Sequence, residues 1–335
     1  MEHQQIKEIL SKQKAFFIKN GPPSYELRID RLDRMKSLIM ENRYKIVDAL
    51  NEDFGVRSKN QSMATDVYTI VPSIEYAKKN LKKWMAGSKR KANFPLGFLG
   101  AKASVDYEPL CSFVMISPWN FPVNLAFVPL VSIFAAGNQV MHKPSEHTPI
   151  TSSLLKELCD KSYDENEFAT CLGGPEVGES FTQLKFDHLL YTGGGSVAKH
   201  VMNAASKNLV PCTLELGGKS PVVIGKSADL KTTAKRIMFG KTLNAGQICL
   251  APDYVVVHKD QKDEFIKETK DAVSHYYPSL KDNEDYTSVI NQKHYDRLKD
   301  LLDDAIEKGA HVDEINPSNE DFSQQEFYKI PPTIV

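Results

Sequence analysis

Apolar residues recur along this chain with two different spacings, and each spacing predicts a different kind of element. Residues 28–50 carry apolar side chains three and four positions apart with charges between them, which predicts an amphipathic helix, and residues 63–83 predict another. Farther on, short apolar runs typical of buried strands alternate with helical segments. The strand-like runs are CSFVMI (111–116), QVMH (139–142), FATCL (168–172) and HLLY (188–191).

The segments between these runs predict a parallel sheet. Residues 151–159 and 196–206 have the pattern of crossover helices, and strands joined in this way pair in parallel. A second set follows, with strands predicted at PVVIG (221–225) and YVVVH (254–258). Its helices are predicted near 229–242, 261–276 and 292–309. We therefore expect an α/β fold with two sheets.

Residues 89–110 interrupt this pattern. Pro95, Gly97, Gly100 and Pro109 stand among alternating residues, which favours a hairpin that leaves the main body. A plain surface loop is the alternative.

Charge and cysteine content narrow the class of protein. Among 335 residues, 42 basic side chains nearly balance 43 acidic ones, so no field would attract nucleic acid or anionic lipid. The N-terminus has no secretory pattern, and the longest apolar run, 123–136, is too short to span a bilayer. The five cysteines are scattered, odd in number and never in CxxC spacing, which argues against a disulfide framework or a zinc site and favours a reducing cytoplasm.

A glycine turn follows the run HLLY. Gly193, Gly195 and Ala198 fit the G-x-G-x-x-G/A spacing of dinucleotide-binding turns, which lets backbone N–H groups at a helix start approach a pyrophosphate. A flexible strand–helix turn is the alternative. Glu215, 22 residues after Gly193, could hold a ribose in such a site.

Two further segments carry groups suited to catalysis. Cys249 ends the small-residue turn NAGQIC, where a thiol is reachable, although a single cysteine is more often a small core residue. Asn120 lies in the sequence SPWNFP just after a predicted strand. This segment is either a rigid turn or a support that holds an amide toward a developing oxyanion.

Six segments in order resemble the aldehyde dehydrogenase superfamily, and within it the class 3 branch. They are PWNFP (118–122), GNQVMHKPSEHTP (137–149), GGPEVG (173–178), YTGGGSVAK (191–199), TLELGGKSP (213–221) and NAGQICLAPDY (244–254). The resemblance implies NAD(P)-dependent oxidation of an aliphatic or aromatic aldehyde to its acid. Cys249 would be the nucleophile, Glu215 the base that activates water, and Asn120 an oxyanion donor.

The resemblance also assigns a site for NAD or NADP. Lys143 and Glu146 match the residues that hold the adenine-side ribose, so Glu215 is not given that role. The alternative for Lys143 and Glu146 is an ordinary ion pair at the surface. The other cofactor-binding residues would be Trp119, Gly174, Gly193, Gly194, Gly195, Ser196, Val197 and Ala198. Many relatives have Ser or Thr where this chain has Gly194 and Gly195. We expect the nearby His142 and His147 to be surface residues and not metal ligands.

By this resemblance the fold is a Rossmann-like cofactor domain plus an α/β catalytic domain with a small bridging hairpin. We expect the cofactor domain at 1–84 and 109–212, the bridging and oligomerisation hairpin at 85–108, and the catalytic domain at 213–335. Relatives continue beyond a segment like 329–335, so we expect the catalytic domain to be incomplete here and a homodimer for the full-length form.

Two rival functions stay open. One is an acylating enzyme that passes the acyl group to coenzyme A, and the other is an inactive chain that keeps the cofactor fold. Every catalytic assignment depends on one expectation, that folding brings Cys249, Glu215 and Asn120 around one cavity.

Overall fold

The computed structural model describes all 335 residues, and the chain divides into two compact units. The first unit comprises Met1–Arg43, Thr65–Glu146 and Ser152–Glu215. The second comprises Tyr44–Ala64, His147–Thr151 and Leu216–Val335. The roles and boundaries that the sequence predicts for the domains stay a prediction.

Twelve α-helices and eleven strands make up the chain. The helices are α1 (His3–Asn20), α2 (Tyr25–Glu41), α3 (Arg43–Phe54), α4 (Lys59–Ser62), α5 (Ile70–Met85), α6 (Asn124–Ala135), α7 (Pro149–Ser162), α8 (Pro175–Gln183), α9 (Gly195–Ser206), α10 (Leu230–Thr242), α11 (Lys262–Tyr276) and α12 (Gln292–Glu307). The strands are β1 (Ser88–Arg90), β2 (Ala103–Val105), β3 (Ser112–Ile116), β4 (Gln139–Lys143), β5 (Phe168–Thr170), β6 (His188–Gly193), β7 (Cys212–Leu216), β8 (Ser220–Val223), β9 (Pro252–Val256), β10 (Asp313–Glu314) and β11 (Thr333–Ile334). A π-helix covers Met63–Tyr68, and short 3-10 helices cover Leu243–Gly246 and Lys259–Gln261.

A five-stranded sheet organises the first unit, in the order β5-β4-β3-β6-β7. The pairs β3–β4, β3–β6 and β4–β5 are parallel. The chain runs from β3 through β4 to β5 at one edge, and then returns to place β6 on the other side of β3. In such sheets ligands bind beyond the carboxyl ends of the strands where the order reverses, which here is between β3 and β6. The predicted α/β fold with a parallel sheet is confirmed.

Helices cover this sheet and build its core. Helix α1 packs against β3, α6 against β4 and α9 against β6, while α2, α5 and α6 pack on one another. The last three helices contribute Leu32, Met35, Ile39, Ile70, Ile74, Phe127, Leu130 and Phe134 to the buried core. Each such fully buried side chain contributes about 1.5–3 kcal/mol to stability. All five residues of β4 are buried, as expected for a central parallel strand.

The predicted hairpin is confirmed. Strands β1 and β2 pair antiparallel, with Ser88 opposite Val105. The connecting segment exposes large apolar side chains, with Phe94 90% and Phe98 87% exposed.

The second unit contains a parallel two-stranded sheet of β8 and β9, which confirms the strands predicted at 221–225 and 254–258. Helix α10 packs against α11 and against β9. Its beginning is fixed by Asp229, whose side chain accepts a hydrogen bond from the N–H of Thr232 at 2.8 Å. One cluster of its core consists of Ile224, Leu230, Ala234 and Phe265.

The single helix predicted over 28–50 is wrong in one respect, because the structure has two helices there. Asn42 stands between α2 and α3, and its side-chain amide donates to the Leu38 carbonyl at 2.9 Å. A short polar side chain that competes for a backbone carbonyl in this way ends a helix. The apolar spacing continues across the break, so periodicity alone does not show it.

No helix of the structure is long and apolar enough to cross a bilayer.

Candidate active site

The first unit gathers several predicted residues at the carboxyl edge of its sheet. In the register of β3, Ile116 lies opposite Lys143 of β4 and opposite Tyr191 of β6. The pairing continues one residue beyond β3, because the N–H of Ser117 donates to the Lys143 carbonyl at 3.1 Å. The turn that carries Trp119 and Asn120 therefore begins beside Lys143, at the ligand edge of the fold. Both side chains are partly exposed there.

Lys143 and Glu146 form an ion pair within this edge. The Lys143 side chain is only 5% exposed, and that of Glu146 is 34% exposed. An ordinary surface pair would leave the ammonium group in water, because lysine is rarely buried without a partner. This observation favours the binding interpretation over the surface pair.

The glycine turn joins β6 to α9 as predicted. Gly194 is the N-cap of α9. Because glycine has no side chain, the N-cap residue offers no side-chain acceptor to the first N–H groups of the helix. A Cβ atom at Gly193 would collide with the Tyr191 hydroxyl, so a larger residue there would require the tyrosine side chain to move. Residues 194–197 are exposed, so the start of the helix is open to an anion.

Ala198 and Gly174 differ from the other predicted cofactor residues. Ala198 is buried, so we expect it to let α9 pack closely against the sheet and not to contact a ligand. The N–H of Gly174 donates to Glu176 Oε1 at 2.9 Å, so this backbone donor already has a partner. That hydrogen bond also lowers the pKa of Glu176, after the larger effect of its own backbone N–H.

The prediction that His142 is a surface residue is wrong. His142 is 1% exposed, and burial together with the charge of Lys143 lowers its pKa to about 3. The imidazole is therefore neutral near pH 7. The available signal was its position inside the predicted strand QVMH, since central parallel strands are buried on both faces. His147 is exposed, as predicted.

Glu215 lies in β7, the strand next to β6 in the sheet, and its side chain is exposed. Strand β7 is not among the predicted strands, although Cys212, Leu214 and Leu216 alternate with Thr213 and Glu215. A carboxylate in this position is accessible to water.

Cys249 belongs to the second unit and follows an unusual turn. Asn244 and Ala245 both have left-handed backbone, with φ of 50° and 51°. Such a conformation costs about 1–2 kcal/mol for a residue with a Cβ atom, so other contacts must hold the turn. The N–H of Asn244 donates to Gln61 Oε1 at 3.0 Å, which is one of these contacts.

Gln247 provides the other contacts. Its side-chain nitrogen donates to the carbonyls of Asn244 and Ser288, both at 3.0 Å, and its oxygen accepts from the N–H of Ile290 at 3.1 Å. Gly218 approaches the same segment, because a Cβ atom there would stand 2.9 Å from the Cys249 carbonyl oxygen. Neither Gln61 nor Gln247 has a predicted role, since most of their partners are more than 40 residues away in sequence and leave no local pattern.

The five cysteines differ in how far they are exposed to solvent. Cys111, Cys159 and Cys171 are buried, and burial raises the pKa of each of these thiols, to about 11 for Cys111 and about 12 for Cys171. Thiols that stay protonated are poor nucleophiles. Cys249 is partly exposed, so it is not the small core residue that the alternative interpretation requires.

The structure thus brings part of the predicted site together. Within the first unit, the turn of Asn120, the Lys143–Glu146 pair and the glycine turn share one edge of the sheet. Cys249 lies in the second unit. The convergence of Cys249, Glu215 and Asn120 on one cavity stays a prediction.

Comparisons with known proteins bear on the whole chain. A model of the aldehyde dehydrogenase family matches residues 2–335. A protein named "Probable coniferyl aldehyde dehydrogenase" from Caulobacter vibrioides is 53% identical over 331 residues, which cover 98% of this chain and 68% of that protein. Mouse aldehyde dehydrogenase family 3 member B3 is 35% identical over 300 residues, which cover 89% of this chain and 62% of that protein. The predicted resemblance to the class 3 branch is confirmed.

One solved structure is also similar. It is Staphylococcus aureus AldH in its substrate-bound state, with a TM-score of 0.85, 36% identity, and coverage of 92% of this chain and 68% of that one. The chain spans about two thirds of the length of these relatives.

Proposed function

Because the chain belongs to the aldehyde dehydrogenase family, we propose that it oxidises an aldehyde to the carboxylic acid through a thioester on Cys249. The observation that carries this proposal is the presentation of Cys249. It is a partly exposed thiol at the end of a turn that Gln61 and Gln247 hold in a costly backbone conformation. Strained backbone supported by its surroundings is typical of functional sites.

The first half of the reaction belongs to Cys249 and Asn120. The thiolate of Cys249 adds to the aldehyde carbonyl, and the former carbonyl oxygen becomes an oxyanion. The side-chain amide of Asn120 and the backbone N–H of Cys249 donate hydrogen bonds to this oxyanion, which lowers the barrier because the charge develops only in the transition state.

The second half belongs to Glu215. Its carboxylate takes a proton from a water molecule as the water attacks the thioester, and the acid leaves while Cys249 recovers its sulfur charge. An acylating enzyme would pass the acyl group to coenzyme A and would need no such base. Release of acid without coenzyme A therefore separates the two functions.

NAD or NADP, when bound, supplies the acceptor for the hydride of the aldehyde. The first unit offers suitable groups for a dinucleotide. The exposed start of α9, from Gly194 to Val197, suits a pyrophosphate, and the Lys143–Glu146 pair suits ribose hydroxyls. Trp119, on the turn beside Lys143, would line the same site.

We expect an aromatic aldehyde of the coniferyl type to be the preferred substrate, since a relative with 53% identity is named for it. A purified sample would be offered coniferyl aldehyde, benzaldehyde, hexanal and acetaldehyde, each with NAD and with NADP, and reduced cofactor would be followed by absorbance. The larger apolar body of coniferyl aldehyde should raise kcat/KM at least ~10-fold over acetaldehyde.

The same experiment tests the inactive alternative. No reduced cofactor from any aldehyde, together with slow labelling of Cys249 by a thiol reagent and no effect of NAD on that labelling, would favour a chain that keeps only the cofactor fold. A preference for acetaldehyde would instead contradict the substrate assignment alone.

The hairpin of β1 and β2 supports a homodimer. Its Phe94 and Phe98, four residues apart in sequence, are large apolar side chains almost fully exposed to water, and burial against a second copy would remove them from water. Replacing both with serine should raise the dimer dissociation constant by about 10-fold or more, as measured by sedimentation velocity over a concentration series. Ile18 on α1 is 81% exposed, and Ile18→Ser is the matched control that should not change the assembly. An unchanged dissociation constant in the hairpin variant would remove the hairpin from the interface.

A further inference from the structure

The turn that would present Asn120 begins at a buried hydrogen bond. Ser117 Oγ lies 2.7 Å from His142 Nε2, and the two residues are 4% and 1% exposed. Ser117 also continues the backbone hydrogen bonding between β3 and β4, since its N–H donates to the Lys143 carbonyl. Both its backbone and its side chain are thus tied to β4, three residues before Asn120.

The same turn ends at a second buried group. The Asp66 side chain is in the core, and its Oδ1 accepts from the N–H groups of Val123 at 3.2 Å and Asn124 at 3.1 Å. Asp66 therefore satisfies N–H groups at the start of α6, where the helix itself offers no acceptor. It lies in the π-helix Met63–Tyr68, an element found often at functional sites.

The imidazole at the first end is suited to a fixed role. A neutral imidazole has one N–H donor and one acceptor nitrogen, so its orientation is set by the partner it bonds. The ring lies 5.9 Å from the ring of Phe168, and the low pKa described above keeps it neutral. The Ser117 hydroxyl therefore has a neutral imidazole as its partner near pH 7.

We infer that His142 and Asp66 are positioning residues that hold the turn of residues 117–123 from its two ends and thereby aim the amide of Asn120. His142 acts through Ser117, and Asp66 acts through the backbone of Val123 and Asn124. The inference rests on the proposed function, because Asn120 matters only if an oxyanion forms beside it. Small displacements are costly in such a site, and a shift of about 1 Å can reduce a rate 10²-fold.

A first test measures the turn itself and needs no turnover. Trp119 lies in the turn, and Trp84 is the only other tryptophan, so Trp84→Phe makes Trp119 fluorescence a specific probe. Ser117→Ala should increase acrylamide quenching of Trp119 and speed hydrogen exchange of the amides of residues 119–121 about 10-fold. Ser117→Thr, which keeps the hydroxyl, should restore both values.

The control is another buried hydrogen bond in the same unit. Tyr163 donates from its hydroxyl to the Arg31 carbonyl at 3.0 Å, so Tyr163→Phe removes a comparable bond far from the turn in sequence. It should leave the exchange of residues 119–121 unchanged. The inference is overturned if Ser117→Ala leaves both signals as in the parent, or if Tyr163→Phe changes them equally.

A second test asks whether Ser117 acts through Asn120. In a double-mutant cycle, Ser117→Ala alone should lower kcat about 10-fold with KM for the cofactor within twofold of the parent. In the background of Asn120→Ala, the same change should cost less than twofold, because the group that it aims is absent. Equal losses in both backgrounds would overturn the inference and leave the proposed function standing. An Asn120→Ala variant with full kcat would instead remove the oxyanion assignment of the proposed function.

Discussion

Replacing Cys249 with alanine is expected to abolish formation of reduced cofactor from aldehyde, with a loss of at least ~10³-fold in kcat/KM. Without the sulfur no covalent bond forms to the carbonyl carbon, so the tetrahedral species that releases a hydride does not arise. Alanine is smaller than cysteine and fits the same turn, which Gln61 and Gln247 hold through contacts that do not involve the thiol. The protein should therefore stay folded. The measurement is the rate of absorbance increase from reduced cofactor over a range of coniferyl aldehyde concentrations, which gives kcat/KM.

Cys212 provides the matched control. It is also a free cysteine that is not fully buried, and it stands on β7 near Glu215 in sequence. Cys212→Ala should keep at least half of the parent activity. The dissociation constant of the cofactor for Cys249→Ala, measured by calorimetry, should be within a few-fold of the parent value. Retention of more than a tenth of the parent rate by Cys249→Ala would show that another group is the nucleophile.

Glu215→Gln is expected to separate the two halves of the reaction. Thioester formation does not need the carboxylate, so one equivalent of reduced cofactor per active site should appear in a rapid burst. Hydrolysis needs a base for the attacking water, and steady-state turnover should fall about 10²- to 10⁴-fold. Stopped-flow absorbance gives both quantities, and mass spectrometry of the quenched protein should show the acyl mass on the peptide that contains Cys249.

The control for this variant is an exposed glutamate elsewhere. Glu264 lies in the first turn of α11, and Glu264→Gln should behave as the parent does. A parent protein that releases acid only when coenzyme A is present would support the acylating function. Loss of the burst together with turnover in Glu215→Gln would show that the carboxylate acts before the thioester forms.

Much of the fold follows from local pattern. The apolar runs predicted β3, β4, β5, β6, β8 and β9, and the helical spacing predicted α7, α9, α10, α11 and α12. In β3 to β6 and in α7, α9, α10 and α11 some or all of the residues are buried, and burial imposes the period that the sequence displays. Helix α12 has the same period, although none of its residues is fully buried. The pattern failed where a polar group acts locally, as at Asn42 between α2 and α3. It also failed at α1, whose buried stripe is narrow, and at β7, whose short alternation lies inside a motif.

The candidate site followed in part from motifs. The glycine turn, Asn120 and Cys249 could be named because glycine-rich turns, rigid turns after strands and reachable thiols have local signatures. Lys143 and Glu146 were assigned only by the resemblance to the family. His142 was misassigned because histidine is common on surfaces, whereas its strand has neighbours on both sides. Asp66 had no signature at all, since its partners lie 57 and 58 residues away.

Sequence by itself therefore determined most of the strands and many of the helices, the family to which the chain belongs, and the residue types that are available for chemistry. Tertiary structure alone decided that β3 lies between β4 and β6, that the turn of Asn120 begins beside Lys143, and that His142 and Asp66 meet its two ends. The reason is physical. Periodicity records only whether each side chain faces apolar surroundings or water, while the choice of partner depends on which buried faces pack together across the folded chain.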